Sequence, residues 1–301
     1  MERRKPNNDK KRSFSKKNDT KRGIEKRENK PFNKSKDHTE RKPTGKQYGK
    51  SYGKGRVERK ERREESSEIR LNKYIANSGI CSRREADMLI KNGVVKVNGE
   101  LVIEMGYKIK PGDKVNVQGK SIKPEKPQYL LLNKPKDYIT TTKDPQNRKT
   151  VMELIKGACK ERVFPVGRLD RNTTGLLLFT NNGDLAKKLM HPMHKIKKVY
   201  LATLDKNLDR NDMLEIAAGP VIDEERIVVD AIGYAESGKK NEVEVHIHSG
   251  QYHVVKRIFS SFNYKVNRLD RLRYGPFTKK NLPRGKWRLL TDEEINLLHR
   301  L

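Results

Sequence analysis

Cysteine is nearly absent from this 301-residue chain: Cys81 and Cys159 are its only two, and no CxxC pair occurs. Two distant thiols supply neither a disulfide framework nor a zinc site, and they fit a reduced, cytosolic protein. Long apolar runs are missing as well. The longest, such as Leu176-Leu177-Leu178-Phe179, are strand-sized, well short of the ~20 residues that a membrane helix needs. The N-terminal stretch carries positive charge with no apolar segment behind it, which argues against a secretory signal. Neither GxxxxGK[ST] nor GxGxxG occurs, which argues against a helicase or a redox enzyme.

Charge of one sign is what the chain has in excess. Lys and Arg number 69 against 39 Asp and Glu, a formal net charge of +30, while hydrophobic residues make up only 33%. Such a surplus points to a polyanion, and without a membrane segment nucleic acid is the expected partner. Up to Glu68 there are 25 Lys and Arg against 12 Asp and Glu, with almost no branched aliphatics. Residues 1–67 are therefore expected to be a disordered basic tail, and the remainder is basic too. Within the tail, Gly45-Lys46-Gln47-Tyr48-Gly49-Lys50-Ser51-Tyr52-Gly53-Lys54 interleaves aromatics with lysines, a mix able to stack on exposed bases while neutralising phosphate. His191 and His194 form an HxxH, and His246 and His248 would share a strand face. With no further Cys or His at ligand spacing, structural or RNA-contacting roles are expected and no metal.

Order is expected from Ile69. Leu71, Tyr74, Ile75 and Ser78 follow helical spacing and Gly79 ends the helix. Ser82-Arg83-Arg84-Glu85 reads as a capping box for a second helix carrying Ala86, Leu89 and Ile90 and closing at Gly93. Val94–Val97 runs into Asn98-Gly99, a hairpin signal, and Pro111-Gly112-Asp113 turns before Val115–Val117. Residues 68–120 thus form a small helix–helix–hairpin domain, with 121–127 as a Pro- and Lys-containing linker. Residues 128–301 read as one α+β domain. Strand-like runs are Tyr129–Leu132, Leu176–Thr180, Val199–Leu204, Ile227–Ile232, Val243–His248 and Trp287–Leu290. Helical patterns are Thr150–Ile155, Asp184–Met190, Asp212–Ala217, His253–Phe262 and Asp292–Leu298. No regular βαβ alternation separates the strands, so a mixed, mostly antiparallel sheet is expected.

The stretch Val166-Gly167-Arg168-Leu169-Asp170-Arg171-Asn172-Thr173-Thr174-Gly175-Leu176-Leu177-Leu178-Phe179-Thr180 sets an acidic residue between two arginines before an apolar strand. On its own this is either a carboxylate presented at a strand edge or a surface ion-pair cluster. Together with its neighbours it resembles a known signature. GRLDxxTxGLLLxTN is similar to the motif of pseudouridine synthases, in the branch that modifies ribosomal RNA and carries an S4 RNA-binding domain. The resemblance extends to Tyr129–Pro135, Lys198-Val199-Tyr200, Gly250–Phe259 and Gly275-Pro276-Phe277. The helix–helix–hairpin resembles the S4 domain itself, through Leu71-Asn72-Lys73 and Cys81-Ser82-Arg83-Arg84. The subgroup it looks most like is the bacterial large-subunit rRNA synthases of the B type.

This resemblance implies an isomerase that converts uridine to pseudouridine without a cofactor, since the reaction is redox-neutral. It implies Asp170 as the catalytic carboxylate, Tyr200 as the residue that stacks on the flipped base, and Lys256 as the cation that pairs with Asp170. Arg168, Leu169, Thr173, Gly175, Asn133, Lys134 and Arg257 are expected to support the site. Lys73, Arg83, Arg84 and Lys91 are expected to contact phosphate. The partner would be ribosomal RNA of the large subunit or its assembly precursor, met by a monomer with no membrane and no metal. A non-enzymatic ribosome-assembly factor, or a synthase for small-subunit rRNA or tRNA, is the alternative. The chain departs from the family at Asp137, where glycine is usual, and at Val254, where glutamine is usual. Arg-Leu-Asp also recurs at Arg268-Leu269-Asp270, where Asp270 is expected to balance nearby cations.

Overall fold

The computed structural model describes residues 68–301, so the expectations for the basic tail lie outside it. The small N-terminal unit comprises β1 (Ile69–Arg70), α1 (Leu71–Asn77), α2 (Arg83–Lys91), β2 (Val95–Val97), β3 (Glu100–Leu101), β4 (Lys108–Ile109), β5 (Val115–Val117) and β6 (Lys120–Ile122). The Ser82 hydroxyl accepts from Glu85 N–H while the Glu85 carboxylate accepts from Ser82 N–H, so the expected capping box starts α2. Asn98 and Gly99 both take positive φ, as a tight hairpin turn requires. Leu71, Ile75, Ala86 and Ile90 from the helices meet Val95, Val97, Val115 and Val117 in one buried cluster. The last strand, β6, runs through Ile122 and pairs with β5, so order continues into the stretch read as linker.

The larger unit is built on a nine-stranded sheet. Its elements run β7 (Tyr129–Lys134), α3 (Val151–Leu154), β8 (Phe164–Val166), β9 (Thr174–Thr180), α4 (Gly183–Met190) and β10 (Lys198–Leu204). Then follow α5 (Arg210–Ala218), β11 (Val221–Ile222), β12 (Glu225–Arg226), β13 (Ala231–Tyr234), β14 (Glu242–Ile247) and α6 (Val254–Ser261). The chain closes with β15 (Val266–Tyr274), β16 (Phe277–Thr278), β17 (Trp287–Leu289) and α7 (Asp292–Arg300). The strand order is β13-β14-β10-β15-β9-β7-β17, with β8 beside β9 and β16 beside β15. Every pairing in it is antiparallel except β9 with β15, which gives the mixed sheet that the sequence implies.

Both faces of the sheet are covered, which explains why β7 and β9 are buried at nearly every position rather than at alternate ones. On β7, Leu130 and Leu132 point to one layer while Tyr129 and Leu131 point to the other. The first layer also takes Val255, Ile258 and Phe259 of α6; the second takes Leu185 and Leu189 of α4 and Leu298 of α7. The run Ile227–Ile232 is only partly a strand, since pairing there begins at Ala231. Strand β15, central to the sheet, lies in a stretch that the sequence offers as Asn-Arg-Leu-Asp-Arg-Leu-Arg, with no apolar alternation to mark it. No helix among the described residues is long and apolar enough to cross a membrane.

Candidate active site

Asp170 sits in the loop between β8 and β9, and that loop is held through its backbone. The ammonium of Lys134, at the end of β7, is fully buried and donates to four carbonyls: Pro135 at 3.1 Å, Asp170 at 3.1 Å, Arg171 at 3.2 Å and Thr173 at 2.9 Å. Burial pulls Lys134 down to about 8, with the charges of Asp170 and Asp137 opposing that shift. From the other side, the Thr140 hydroxyl donates to Leu169 O at 2.7 Å. Asn133 is tied in turn to Leu282 O through its amide nitrogen. A loop pinned at four carbonyls leaves its aspartate little freedom, which is what a reacting group needs.

The Asp170 carboxylate has three partners. Lys256 Nζ lies 2.5 Å from Oδ2, His253 Nε2 lies 3.0 Å from Oδ1, and the Thr173 hydroxyl donates to Oδ2 at 3.3 Å. Two of the three come from the start of α6. Val254, Val255, Ile258 and Phe259 bury one face of this helix, which turns Lys256 toward the loop. His253 precedes the helix in a left-handed conformation, φ 50°, uncommon for a residue with a side chain. The flanking arginines of the sequence motif are not the partners. Arg168 is exposed, and Arg171 reaches Asp137 at 3.5 Å. The reading of a local Arg-Asp-Arg ion-pair cluster therefore does not hold.

Asp170 opens onto a cavity of about 760 Å³, a volume suited to a nucleoside and its surroundings. Tyr200 of β10, 9% exposed, lines the same cavity. Behind it stands Arg271 of β15, 2% exposed, with Nε donating to Leu176 O at 2.7 Å and Nη1 to the Tyr200 hydroxyl oxygen at 3.5 Å. Its Nη2 has no hydrogen-bond partner, and Arg271 makes no ion pair among the described residues. Lys198 is the second buried cation on this wall, donating to His248 O at 2.8 Å and Ser249 O at 3.1 Å. Burial, and then the charge of Arg271, lower its pKa to about 8. A carboxylate at one side and buried cations at the other suit a reaction in which positive and negative character separate.

The structure thus gathers Asp170, Tyr200, Lys256, Thr173, Lys134 and Leu169 around one loop and cavity. It does not bring Arg257 there. One residue after Lys256, it points off the far side of α6 and pairs with Asp223 at 2.5 Å. Gly175 acts one step removed, where β9 meets β15. The residues that sequence reasoning missed are His253, Thr140, Lys198 and Arg271. His253 and Lys198 lie inside the family-like motifs, but only folding shows what they face; Thr140 and Arg271 carry no local signal. Asp137 takes φ 70°, in the left-handed region that glycine favours and Asp tolerates, so the turn is kept at this departure from the family. Val254 is buried in the core, so no side-chain hydrogen bond arises at that position.

The second Arg-Leu-Asp has a different fate. Asp270 is held by Lys279, by both terminal nitrogens of Arg284 at 3.1 Å, and by the Thr174 hydroxyl at 2.9 Å. Burial works to raise its pKa, but hydrogen bonds from Lys279, Arg284 and Thr174 outweigh it and leave the group below the usual carboxylate range. A depressed folded-state pKa contributes stability above the unfolded value, about 3.9, and loses it as pH falls through the folded one. The difference in urea midpoint between wild type and Asp270→Asn should therefore be constant above pH ~5 and shrink below pH ~4. A difference independent of pH would remove Asp270 as an ionised anchor.

On the small domain, Arg83, Arg84 and Lys91 are exposed on α2. Lys73 is not free: it pairs with Asp184 at 2.6 Å, and Lys143 pairs with Glu85 at 2.6 Å, so these cations join the small domain to the larger one.

The pattern described as RNA pseudouridylate synthase matches residues 128–261, and that of the S4 domain matches residues 69–115. An uncharacterized RNA pseudouridine synthase of Aquifex aeolicus (strain VF5) is 43% identical over 231 residues, covering 76% of this chain and 92% of its own. The ribosomal large subunit pseudouridine synthase B of Bacillus subtilis (strain 168) is 37% identical, covering 77% of this chain and 96% of its own. A crystal structure of a pseudouridylate synthase, 29% identical, superposes with a TM-score of 0.56 over 76% of this chain and 99% of its own. With Asp170 in the matched segment and the small helix–helix–hairpin domain in front of it, the chain belongs to the RNA pseudouridylate synthase family.

Proposed function

We propose that this protein isomerises particular uridines of large-subunit ribosomal RNA, with Asp170 as the reacting carboxylate. The observation that carries the reading is the single carboxylate, held by Lys256, His253 and Thr173, opening onto a nucleoside-sized cavity that Tyr200 lines. Breaking N1–C1′ sends the bonding pair to uracil and leaves positive character at C1′. Asp170 either adds to C1′ or removes the 2′ proton; both routes release uracil as an anion. The uracil turns and its C5 bonds to C1′. In the first route this displaces the Asp170 carboxylate; in the second, Asp170 returns the 2′ proton to C2′. The C5 proton then leaves and N1 regains one. Tyr200 stacks on the ring during the turn and serves the proton transfer at C5. Arg271, buried and with an unpartnered Nη2, is placed to meet the negative charge. Water has to be kept from C1′ during the turn, because hydrolysis there would leave an abasic site.

The target base must leave its stack, and loops of RNA make that cheaper than duplexes do. Arg83, Arg84 and Lys91 provide phosphate contacts on the small domain, and such a substrate is met in the cytoplasm. Reversing Arg83 and Arg84 to Glu in a variant lacking residues 1–66 should weaken rRNA binding severalfold and flatten its salt dependence. Unchanged binding would take the small domain out of substrate positioning. Mapping pseudouridines in RNA from cells lacking the protein tests the function itself. Loss of one or a few sites in large-subunit rRNA is the expected result. Loss confined to tRNA or small-subunit rRNA would reassign the substrate, and no loss anywhere would leave an RNA-binding role without chemistry.

A further inference from the structure

Tyr252 lines the cavity yet is 70% exposed, so it stands at the rim. Its ring lies flat against His253, with centroids 3.7 Å apart and planes inclined by 19°. The next link is direct, because His253 Nε2 is 3.0 Å from Asp170 Oδ1. The left-handed backbone at His253 puts the imidazole in this position, and strain of that kind persists only where surroundings enforce it. Around the rim stand Arg168 and Arg171, both exposed, so what approaches is anionic as well as planar.

We propose that Tyr252 is a stacking subsite for the nucleobase adjacent in the strand to the target uridine. The inference rests on the synthase reading above. Extruding a base costs the stacking energy of both its neighbours, and a flat ring at the mouth returns part of it. Phosphates flanking the extruded nucleotide meet Arg168 and Arg171. Because the Tyr252 ring also rests on His253, a base seated there steadies the imidazole that bonds Asp170. The subsite reads no hydrogen-bonding edge and accepts any base, purines better than pyrimidines because of their larger face.

The test is a cycle in single-turnover rate at subsaturating enzyme. It uses a transcript containing the mapped uridine and two versions with an abasic nucleotide on its 5′ or 3′ side. Tyr252→Ala should slow wild-type transcript by about tenfold to a hundredfold, while Tyr252→Phe and Tyr252→Trp keep the rate. On the transcript lacking the stacking base, the loss from Tyr252→Ala should nearly vanish, which also identifies the side. Equal losses on all three transcripts, or no loss on the intact one, overturn the subsite. Thermal unfolding of each variant checks that this exposed substitution leaves the fold alone. A wild-type protein that forms no pseudouridine would instead bring down the synthase reading.

Discussion

Asp170→Asn is expected to abolish pseudouridine formation without unfolding the protein or releasing RNA. The amide is nearly isosteric with the carboxylate but is neither nucleophile nor base, so the step at C1′ loses its reacting group. Losses of roughly 10⁴-fold or more are typical when such a group is removed. The fold should be indifferent, because the loop is held by Lys134 and Thr140 through backbone atoms and not through the carboxylate. Asp270→Asn is the control. Its carboxylate is committed to Lys279, Arg284 and Thr174, so the expected cost is in stability, with at most a modest change in rate. Purified variants assayed in single turnover on the mapped transcript decide the matter. Near-normal turnover by Asp170→Asn, or a dead Asp270→Asn, would overturn the assignment.

Gly175→Ala should produce the largest loss of stability. Gly175 has φ 107°, and a Cβ there would lie 2.3 Å from Arg271 O and 2.5 Å from Arg271 N. Both are backbone atoms of a paired strand, so neither can swing aside. The residue also sits where β9 and β15 run parallel, with Gly175 opposite Arg271. The left-handed backbone costs a side chain ~1–2 kcal/mol and overpacking adds ~1–3 kcal/mol. A loss of about 2–5 kcal/mol is therefore expected, a large fraction of the stability of a marginal domain. Urea or thermal unfolding measures it. Arg271 and the loop carrying Asp170 both adjoin this crossing, so whatever folded fraction remains should also be slow. A variant within ~1 kcal/mol of wild type would mean that the two strands separate without cost.

The loop carrying Asp170 was legible because its residue types are constrained locally. Gly175 admits the close strand, the apolar run fills both faces of the sheet, and Asp170 precedes both at a fixed spacing. The helices were legible for the same reason: Ser82 with Glu85 and Thr291 with Glu294 form caps across three residues, a distance that sequence displays directly. Strand β15 was not, because its arginines and aspartate are satisfied by partners brought from elsewhere. Asp270 meets Thr174, Lys279 and Arg284, and Arg271 meets Leu176 and Tyr200. The same holds for Lys73, which as a sequence position is one exposed-looking cation and in the fold is paired with Asp184, 111 residues away. Arg257 and Lys256 are adjacent, yet the ~100° between neighbouring helix positions sends them to different carboxylates. By itself the sequence determined the family and the mixed, mostly antiparallel sheet, and it singled out Asp170 as the candidate carboxylate, since each is written in short-range patterns. Only the tertiary structure decided that His253 joins Lys256 on that carboxylate and that Arg271 stands behind Tyr200, because these residues come from segments that meet when the sheet closes around them.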